Sequence, residues 1–291
     1  MIPTNIIIFL IVGVIIGFLF ITFRPRKSYN LVPRKIWTYW DNPDKLPKAV
    51  KLCMDSWKKT NPEYEIILLT KKNFQGYVTI PDDIRTHPHF NESPERFSEL
   101  VRLYALEEHG GIWIDASILV KKPFDDWLFP KYAEYSGFYR GSYTLDSKFP
   151  VIDCCFMAAN KKSEFIKKWK EEYLEIGTFR EIKNYLDSRK DMGINFNMLS
   201  DPHYSAIYVS AMKIIQHDKY NQDSLVLNDL DESALKYLRI SKGDSEKGLE
   251  LACIDQKYQT PILKMGPNER DIIEKELDYS LNNNKCNWIM T

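Results

Sequence analysis

The spacing of apolar and polar residues predicts strands and helices that alternate along most of the chain. Apolar runs of strand length lie around residues 35–40, 65–69, 112–114 and 151–159. Helical spacing lies near 46–59, 95–108 and 162–176, and again around 203–217 and 267–278. This alternation is typical of an α/β fold built on a mainly parallel sheet.

The first apolar stretch differs from the others because it is long and carries no charge. From Ile6 to Phe23 every residue is apolar apart from one threonine and two glycines. A helix of about 18 residues rises about 27 Å, which is close to the thickness of the hydrocarbon core of a bilayer. We therefore predict a single-pass transmembrane anchor at residues 1–23, joined by a linker at 24–32 to one domain at 33–291.

The charges around this stretch predict its orientation. Basic residues follow it at Arg24, Arg26, Lys27, Arg34 and Lys35, and only the α-amino group precedes it. Because positive charge stays on the cytoplasmic side, we expect the large domain in the cytoplasm. The triplet Asn91-Glu92-Ser93 would favour the lumen, but such triplets often occur by chance and Pro94 follows this one. A cleaved signal peptide is the alternative to an anchor, although no basic region precedes the stretch and no small-residue cleavage site follows it.

Composition narrows the possible classes of function. The 291 residues carry 40 basic and 40 acidic side chains, whereas a general nucleic-acid binder needs an excess of positive charge. We therefore expect no nucleic-acid partner. The 44% of hydrophobic residues can form the core of one or two domains. The cysteines show no Cys-x-x-Cys spacing and no Gly-x-Ser-x-Gly turn occurs, so the sequence suggests neither a zinc site nor a nucleophilic serine.

The segment from Arg96 to Ser117 is predicted to be a helix, a Gly-Gly break and a short strand that ends on a carboxylate. Apolar residues recur at helical spacing as far as residue 108, and the pair Gly110-Gly111 then stops the helix. An apolar strand leads directly to Asp115, and open α/β sheets bind ligands beyond the carboxyl ends of their strands. The alternative is that Asp115 only caps the following turn.

The polar residues of this segment resemble the signature of the sugar transferases that carry a DXD motif. Their pattern is roughly R-x-S-D-x-x-R followed by G-G-x-Y-x-D-x-D, and the corresponding residues here are Arg96, Ser98, Glu99, Arg102 and the run from Gly110 to Ser117. Within this superfamily the chain is most similar to the capsular polysaccharide synthesis type of glycosyltransferase. Outer-chain mannosyltransferases and the glucosyltransferase domains of bacterial toxins are more distant relatives.

Three further segments support the resemblance, which extends from about Pro33 to about Glu276. Residues 34–41 resemble the first strand of the family, 53–64 its following helix, and 156–169 the strand and helix that frame the acceptor side. The resemblance implies a GT-A type fold, a Rossmann-like and mainly parallel sheet flanked by helices.

The resemblance also implies roles for particular residues. Asp115, Glu99 and Arg102 would be catalytic. These three would also contact the donor, together with Thr38, Tyr39, Trp40, Arg96, Ala116, Ser117 and Lys264. Asp115 and Ser117 would hold Mn²⁺ or Mg²⁺, and Asp153 would lie on the acceptor side. Two questions stay open: Arg270 is an alternative to Lys264 for the diphosphate, and Trp37 fits the core as well as a base-stacking position.

Two departures from the family pattern affect the metal and the sugar. Ser117 stands where the family usually has the second aspartate of the DXD motif, and a neutral hydroxyl is a weak ligand for a hard divalent cation. Glu99 stands where the family usually has aspartate. Because glutamate is one methylene longer, we expect a different sugar or a different sugar position.

The predicted function is a metal-assisted, retaining transfer of a hexose from a UDP- or GDP-linked donor to a glycan or a lipid-linked acceptor. One alternative is a non-catalytic subunit that keeps the fold as a binding or scaffold part of a glycan-assembly complex. A second alternative is a glycosidase, in which Asp115 would work with Glu99 or Asp153 across the scissile bond.

Overall fold

The computed structural model describes residues 31–128, 133–254 and 260–283. The predicted anchor at 1–23, and the predicted linker as far as residue 30, lie outside these residues. Within the described ranges, no helix combines the length and the apolar character needed to cross a bilayer.

The described strands form one large sheet and one small ladder. They are β1 (Lys35–Tyr39), β2 (Glu65–Leu69), β3 (Gly111–Ile114), β4 (Ile118–Val120), β5 (Tyr135–Tyr139), β6 (Ile152–Ala159), β7 (Leu225–Asp229) and β8 (Ile262–Lys264). Six of them form the sheet in the order β2-β1-β3-β6-β5-β7, and β4 pairs with β8.

The helices lie mostly where the sequence pattern predicts them. They are α1 (Lys48–Thr60), α2 (Asp82–Arg85), α3 (Pro88–Asn91), α4 (Pro94–His109), α5 (Glu164–Leu174), α6 (Ile182–Asp191), α7 (Ala206–Met212), α8 (Lys236–Ile240), α9 (Ser245–Ile254) and α10 (Pro267–Asn283). A π-helical turn at Lys213–His217 continues α7.

The directions of the strands confirm the predicted α/β class. β1 runs parallel to β2 and β3, and β5 runs parallel to β7. β6 is the exception, because it is antiparallel to both β3 and β5. A parallel neighbour needs a long crossover connection, and the segment between β5 and β6 contains no crossover helix.

Both faces of the sheet are buried. On β3, Trp113 belongs to the hydrophobic core of one face, whereas Ile112 and Ile114 belong to that of the other. Helices α4, α5 and α7 cover the first face; α1, α8, α9, α10 and the β4–β8 ladder cover the second. This explains why the strands have continuous apolar runs rather than an alternation of apolar and polar residues.

The turn between α4 and β3 requires its two glycines. Gly110 has φ +67° and Gly111 has φ +102°, a region that other L-residues rarely adopt. A Cβ atom at Gly111 would lie 2.7 Å from the Lys35 carbonyl oxygen, and one at Gly110 would lie 2.6 Å from the Lys161 backbone nitrogen. The glycines therefore allow β3 to start close beside β1, directly after the helix, and so fix where Asp115 lies.

The β4–β8 ladder brings a distant part of the chain to the end of β3. Ile118 lies opposite Lys264 in this ladder. The Lys264 backbone N–H donates to the Ala234 carbonyl at 3.0 Å, and that of Met265 donates to the Ser117 carbonyl at 3.0 Å. Lys264 is therefore fixed beside the segment that follows Asp115.

Candidate active site

One edge of the sheet collects the ends of all six strands, since β2 is parallel to β1. β1, β3, β5 and β7 share one direction and β6 runs against them, so the carboxyl ends of the first four meet the amino end of β6. Asp115 follows β3, Arg140 follows β5, and Asp153 lies at the start of β6. We call this side the carboxyl edge. In open α/β sheets it is the side at which ligands bind.

Asp115 is a partly exposed carboxylate held by three neighbours. Its side chain is 28% exposed. Oδ1 accepts a hydrogen bond from Trp113 Nε1 at 3.1 Å and lies 3.4 Å from Arg102 Nη2. Oδ2 lies 3.9 Å from Lys264 Nζ. Two cations therefore face this carboxylate, and part of it stays open to a ligand.

Arg102 is buried beneath Asp115 and positions it. Its Nη1 donates to the Cys154 carbonyl at 2.5 Å, its Nη2 donates to Ser98 Oγ at 2.8 Å, and the guanidinium lies over the Trp113 ring. Burial lowers the pKa of Arg102, but neighbouring groups that include Asp115 raise it above its ordinary value. Arg102 therefore stays charged, and its donors are directed to the protein rather than to the open crevice.

Glu99 lies on the same helix, and its hydrogen-bonded partner is Arg96 rather than Arg102. Arg96 Nη1 donates to Glu99 Oε2 at 3.0 Å, and Tyr173 OH donates to the same oxygen at 2.8 Å. Arg96 Nη2 also donates to the His203 carbonyl at 2.7 Å. Burial raises the pKa of Glu99, although Arg96, Arg102 and Tyr173 act against it. The predicted sugar contacts Arg96 and Glu99 thus form one buried, hydrogen-bonded set.

Asp153 is fully buried and surrounded by donors and cations. Tyr208 OH donates to Oδ2 at 2.7 Å, and the Cys155 backbone N–H donates to Oδ1 at 2.8 Å. Arg140 Nη1 lies 3.9 Å from Oδ2, and Lys264 Nζ lies 4.0 Å from Oδ1. Burial raises the pKa of Asp153, but Lys264, the Cys155 hydrogen bonds and Arg140 together lower it to about 2. Asp153 is therefore ionised, and its contacts are with protein groups. Its place on the acceptor side stays a prediction.

These contacts form a row of alternating charges along the carboxyl edge. At its far end, Arg140 Nε lies 3.2 Å from Asp231 Oδ1. We call this series the ion-pair row, and its members in order are Arg102, Asp115, Lys264, Asp153, Arg140 and Asp231. It holds three cations and three carboxylates. Within it, Lys264 is 23% exposed and Asp115 is 28% exposed. These two side chains are the most exposed of the row, followed by Arg140 at 18%.

The residues predicted to contact the nucleotide base lie at the end of β1. Tyr39 is buried and its OH donates to Asp41 Oδ1 at 2.7 Å. Thr38 is fully buried, and its Oγ1 has no hydrogen-bond partner in the described part of the chain. Trp40 is half-buried and follows the strand, so it is more open to a base than either. Trp37, at 1% exposure, belongs to the core.

The side chains at this edge do not fit a divalent metal ion. Mn²⁺ and Mg²⁺ prefer several carboxylate and water oxygens. Asp115 is already shared among Trp113, Arg102 and Lys264, and Ser117 is buried and offers a neutral hydroxyl. Among the residues that the structure describes, no three His, Cys, Asp or Glu side chains are arranged to hold a metal. The expected site at Asp115 and Ser117 therefore lacks further ligands. Ala116, which lies between Asp115 and Ser117 in the sequence, is buried and supplies no side-chain oxygen.

Sequence patterns do not single out three residues of the site: Arg140, Tyr173 and Tyr208. Arg140 follows β5, whose short sequence carries no strong strand signal, and the two tyrosines reach their carboxylates only through the packing of α5 and α7. The one signal in the sequence is a tyrosine within a predicted helix, because a tyrosine hydroxyl that becomes buried needs a hydrogen-bond partner. Between the two cations considered for the diphosphate, it is Lys264 that lies beside Asp115.

The arrangement does not favour a glycosidase. That reaction needs two carboxyl groups facing the scissile bond from opposite sides. Glu99 is 7% exposed and Asp153 is fully buried, and both are saturated by protein donors. Neither is placed to act with Asp115 on a bond in the crevice.

Comparison with known proteins decides the family. The family model described as "Capsular polysaccharide synthesis protein" matches residues 18–186, more than half of the chain. The chain belongs to this family. The resemblance predicted from the sequence is therefore confirmed. The matched region contains the buried pair of Arg96 and Glu99, and also Asp115, but it ends before Lys264.

A curated relative is the O-glycosyltransferase braB of Annulohypoxylon truncatum. It is 24% identical over 157 residues, which are 49% of this chain and 37% of the relative. The chain thus spans little more than a third of the length of that relative. The relative is an O-glycosyltransferase, the enzyme class that the sequence predicts for this chain.

Solved structures of glycosyltransferases show a partial likeness, with TM-scores below 0.5. The PaToxG glycosyltransferase is 16% identical, with 86% of each chain covered and a TM-score of 0.42. A glycosyltransferase involved in the glycosylation of the major capsid of PBCV-1 is 9% identical, with 84% of this chain and 98% of that chain covered and a TM-score of 0.44. The glycosyltransferase GlyE of Streptococcus pneumoniae TIGR4 is 11% identical, with 88% and 64% covered and a TM-score of 0.44.

Proposed function

We propose that this protein is a glycosyltransferase with a GT-A type architecture, and that it moves a hexose from a UDP- or GDP-linked donor to a glycan or a lipid-linked acceptor. The observation that carries the proposal is the pair of Asp115 and Lys264. They are partly exposed charges of opposite sign at the carboxyl edge, in a chain of the capsular polysaccharide synthesis family.

Transfer of a hexose separates charge in a way that this pair can stabilise. The bond from the anomeric carbon to the diphosphate breaks, so negative charge grows on the leaving phosphate oxygen and positive charge grows on the sugar. Preorganised groups of opposite sign lower the energy of such a state. We assign Lys264 to the diphosphate and Asp115 to the sugar. Retention at the anomeric carbon is the expectation that the family resemblance adds.

The neighbouring residues suit the remaining parts of a donor. Trp40 is half-buried at the end of β1, where stacking on a uracil or guanine would contribute about 1 to 3 kcal/mol. We assign the buried set of Arg96, Glu99 and Tyr173 to the sugar side, where it would fix the shape of the pocket. We propose that this set, rather than direct contact with reacting atoms, determines which hexose fits.

A donor screen tests this function. The full chain, purified in detergent, would be incubated with UDP- and GDP-linked hexoses and with glycan and lipid-linked acceptors. Mass spectrometry should detect an acceptor that has gained one hexose, and Asp115→Asn should form that product about 10- to 100-fold more slowly. A folded protein that binds donor without ever consuming it would favour the non-catalytic scaffold instead. The family and the curated relative do not favour that alternative.

We also propose, from the sequence of residues 1–23 and the basic residues after them, that the protein is a single-pass membrane protein with its domain in the cytoplasm. This location would suit an acceptor that is linked to a lipid in the same membrane.

A further inference from the structure

The carboxyl edge already contains a cation at the place where the family resemblance leads one to expect a metal ion. Lys264 Nζ lies between Asp115 Oδ2, at 3.9 Å, and Asp153 Oδ1, at 4.0 Å. We infer that Lys264 takes the place of the divalent metal, so that donor binding and hexose transfer by this protein need no metal ion. The inference rests on the proposed nucleotide-sugar donor.

The first argument is the geometry of the ammonium group. Both carboxylates lie beyond hydrogen-bonding distance, which ends at about 3.2 Å for an N–H donor, so they attract Lys264 without using up its N–H groups. The side chain is 23% exposed. Its donors can therefore turn towards phosphate oxygens while the two carboxylates keep the ammonium in place.

The second argument is the balance of charge. Arg102 and Lys264 both face Asp115, and Lys264 and Arg140 both face Asp153. A divalent cation at Asp115 would lie close to two positive groups and would find the neutral Ser117 where the family pattern has a second aspartate. The row as a whole is neutral, but at Asp115 two cations face one carboxylate. This local excess of positive charge disfavours a metal ion and favours an anionic diphosphate.

The third argument is how firmly the fold holds Lys264. It is the last residue of β8, opposite Ile118 in the ladder, and its backbone N–H is bonded to the Ala234 carbonyl. The next residue, Met265, is bonded to the Ser117 carbonyl. The backbone at Ser117 thus ties the Lys264 segment to the end of β3.

The chemistry balances without a metal. The bond between the anomeric carbon and the β-phosphate oxygen breaks, and its electron pair leaves with the nucleoside diphosphate. A bond forms between the anomeric carbon and an acceptor hydroxyl oxygen, and the hydroxyl proton passes to solvent. Lys264 stays protonated throughout and opposes the charge that grows on the phosphate. Burial lowers the pKa of Lys264, but Asp153, Asp115 and their neighbours raise it above its ordinary value, so the ammonium persists at neutral pH.

The test measures binding of UDP and GDP to the full chain by calorimetry, once with EDTA and once with Mn²⁺. We expect affinities that agree within about twofold in the two buffers. Lys264→Gln should weaken binding at least tenfold in EDTA, and Lys264→Arg, which keeps the charge, should retain most of it. Lys183→Gln, at an exposed and distant ion pair, is the matched control and should bind as the wild type does.

A second measurement uses Mn²⁺ alone and does not depend on any donor. If Lys264 occupies the place of the metal, Lys264→Ala leaves Asp115 and Asp153 without their shared cation, and it should bind Mn²⁺ at least tenfold more tightly than the wild type. Manganese EPR reports this binding directly. Tight Mn²⁺ binding by the wild type, with no gain in the variant, would overturn the inference even if the glutamine variant fails to fold.

The outcomes also separate this inference from the proposed function. Binding of UDP or GDP that appears only with Mn²⁺ contradicts the inference and leaves the proposed donor standing. Binding of neither nucleotide in either buffer contradicts the proposed donor, and the inference with it.

Discussion

At the scale of single residues, the charges of the ion-pair row differ in exposure, and this determines what each one contributes. Asp115 is 28% exposed, whereas Asp153 is fully buried between cations. A partly exposed carboxylate contributes little to folding, but loss of a buried one leaves its cations without a partner. Substitutions along the same row should therefore affect either activity or stability, depending on the position.

We expect that substitution of Asp115 lowers activity and leaves stability nearly unchanged. Asp115→Asn keeps the shape and removes the charge that opposes positive charge on the sugar. A charged hydrogen bond contributes about 1.5 to 3 kcal/mol, so kcat/KM should decrease by about 10- to 100-fold while Tm changes by no more than about 2 °C. Asp125→Asn, at an exposed pair with Arg34, is the control. A variant with unchanged kcat/KM would remove Asp115 from the site.

We expect that substitution of Asp153 lowers the stability of the fold, and that the size of this decrease depends on pH. The folded-state pKa is lowered from 3.8 to about 2, so ionised Asp153 stabilises the fold fully above pH 3.8 and progressively less as the pH falls towards 2. Asp153→Asn should therefore lower the free energy of unfolding by about 3 kcal/mol at neutral pH. Denaturant titrations should show that this difference shrinks between pH 4 and pH 2. A difference independent of pH would contradict the lowered pKa.

Glu99 should show the opposite pH dependence. Burial raises its folded-state pKa above 4.5, so the wild type loses stability as the pH rises from 4.5 through the raised value, and Glu99→Gln does not. The Tm of the variant relative to the wild type should increase over that range. Its kcat/KM for the preferred donor should decrease about tenfold, because the pocket beneath the sugar loses its charge. Glu92→Gln, at the more exposed partner of Arg96, should show neither effect.

At the scale of elements, the Gly-Gly turn controls where the strand that carries Asp115 begins. Gly111→Ala combines a strained φ of +102° with a Cβ atom 2.7 Å from the Lys35 carbonyl, and we expect it to cost about 3 kcal/mol of stability. Gly193→Ala has φ +82° but no atom within 4 Å of the added Cβ, so it should cost only about 1 kcal/mol. Thermal melts of the two variants separate backbone strain from crowding. Equal losses would show that the close approach of β1 and β3 contributes nothing.

The elements that the sequence predicts are those with a strong local signal. β1, β2, β3 and β6, and helices α1, α4 and α5, all lie close to their predicted ranges, because each has a continuous apolar run or an amphipathic period. β4, β5, β7 and β8 carry three to five residues each and depend on pairing with distant strands. No local pattern reports such pairing.

In the site, too, the residues that the sequence predicts are those marked by a local pattern, and the contacts that it does not predict depend on the pairing of distant strands. Asp115 is marked by its place after a glycine turn and an apolar strand. Its relation to Lys264 depends on the β4–β8 ladder, and its relation to Asp153 depends on the reversed direction of β6. The sequence alone suggests Lys264 and Asp153 as separate candidates. Only the topology places Asp115 and Asp153 beside the one ammonium group of Lys264.

At the scale of the whole molecule, the two faces of the sheet contribute different parts of the site. The face covered by α4, α5 and α7 supplies Arg102, Glu99, Tyr173 and Tyr208. The β4–β8 ladder on the other face supplies Lys264. The ion-pair row joins the two faces across the carboxyl edge, so the site is complete only when both halves of the core have formed.

The position of this site relative to a membrane depends on the proposed anchor, and its orientation can be reversed by charge. Replacing Arg24, Arg26 and Lys27 with Gln and adding Lys at positions 3, 4 and 5 moves the basic residues to the other side of the apolar stretch, so the domain should cross to the outside. In intact spheroplasts, external protease should digest the domain of this variant and spare that of the wild type. Replacing Lys71, Lys72 and Arg85 with Gln removes as much charge far from the stretch and should leave the domain protected. Digestion of the wild-type domain would place it outside the cytoplasm and contradict the proposed orientation.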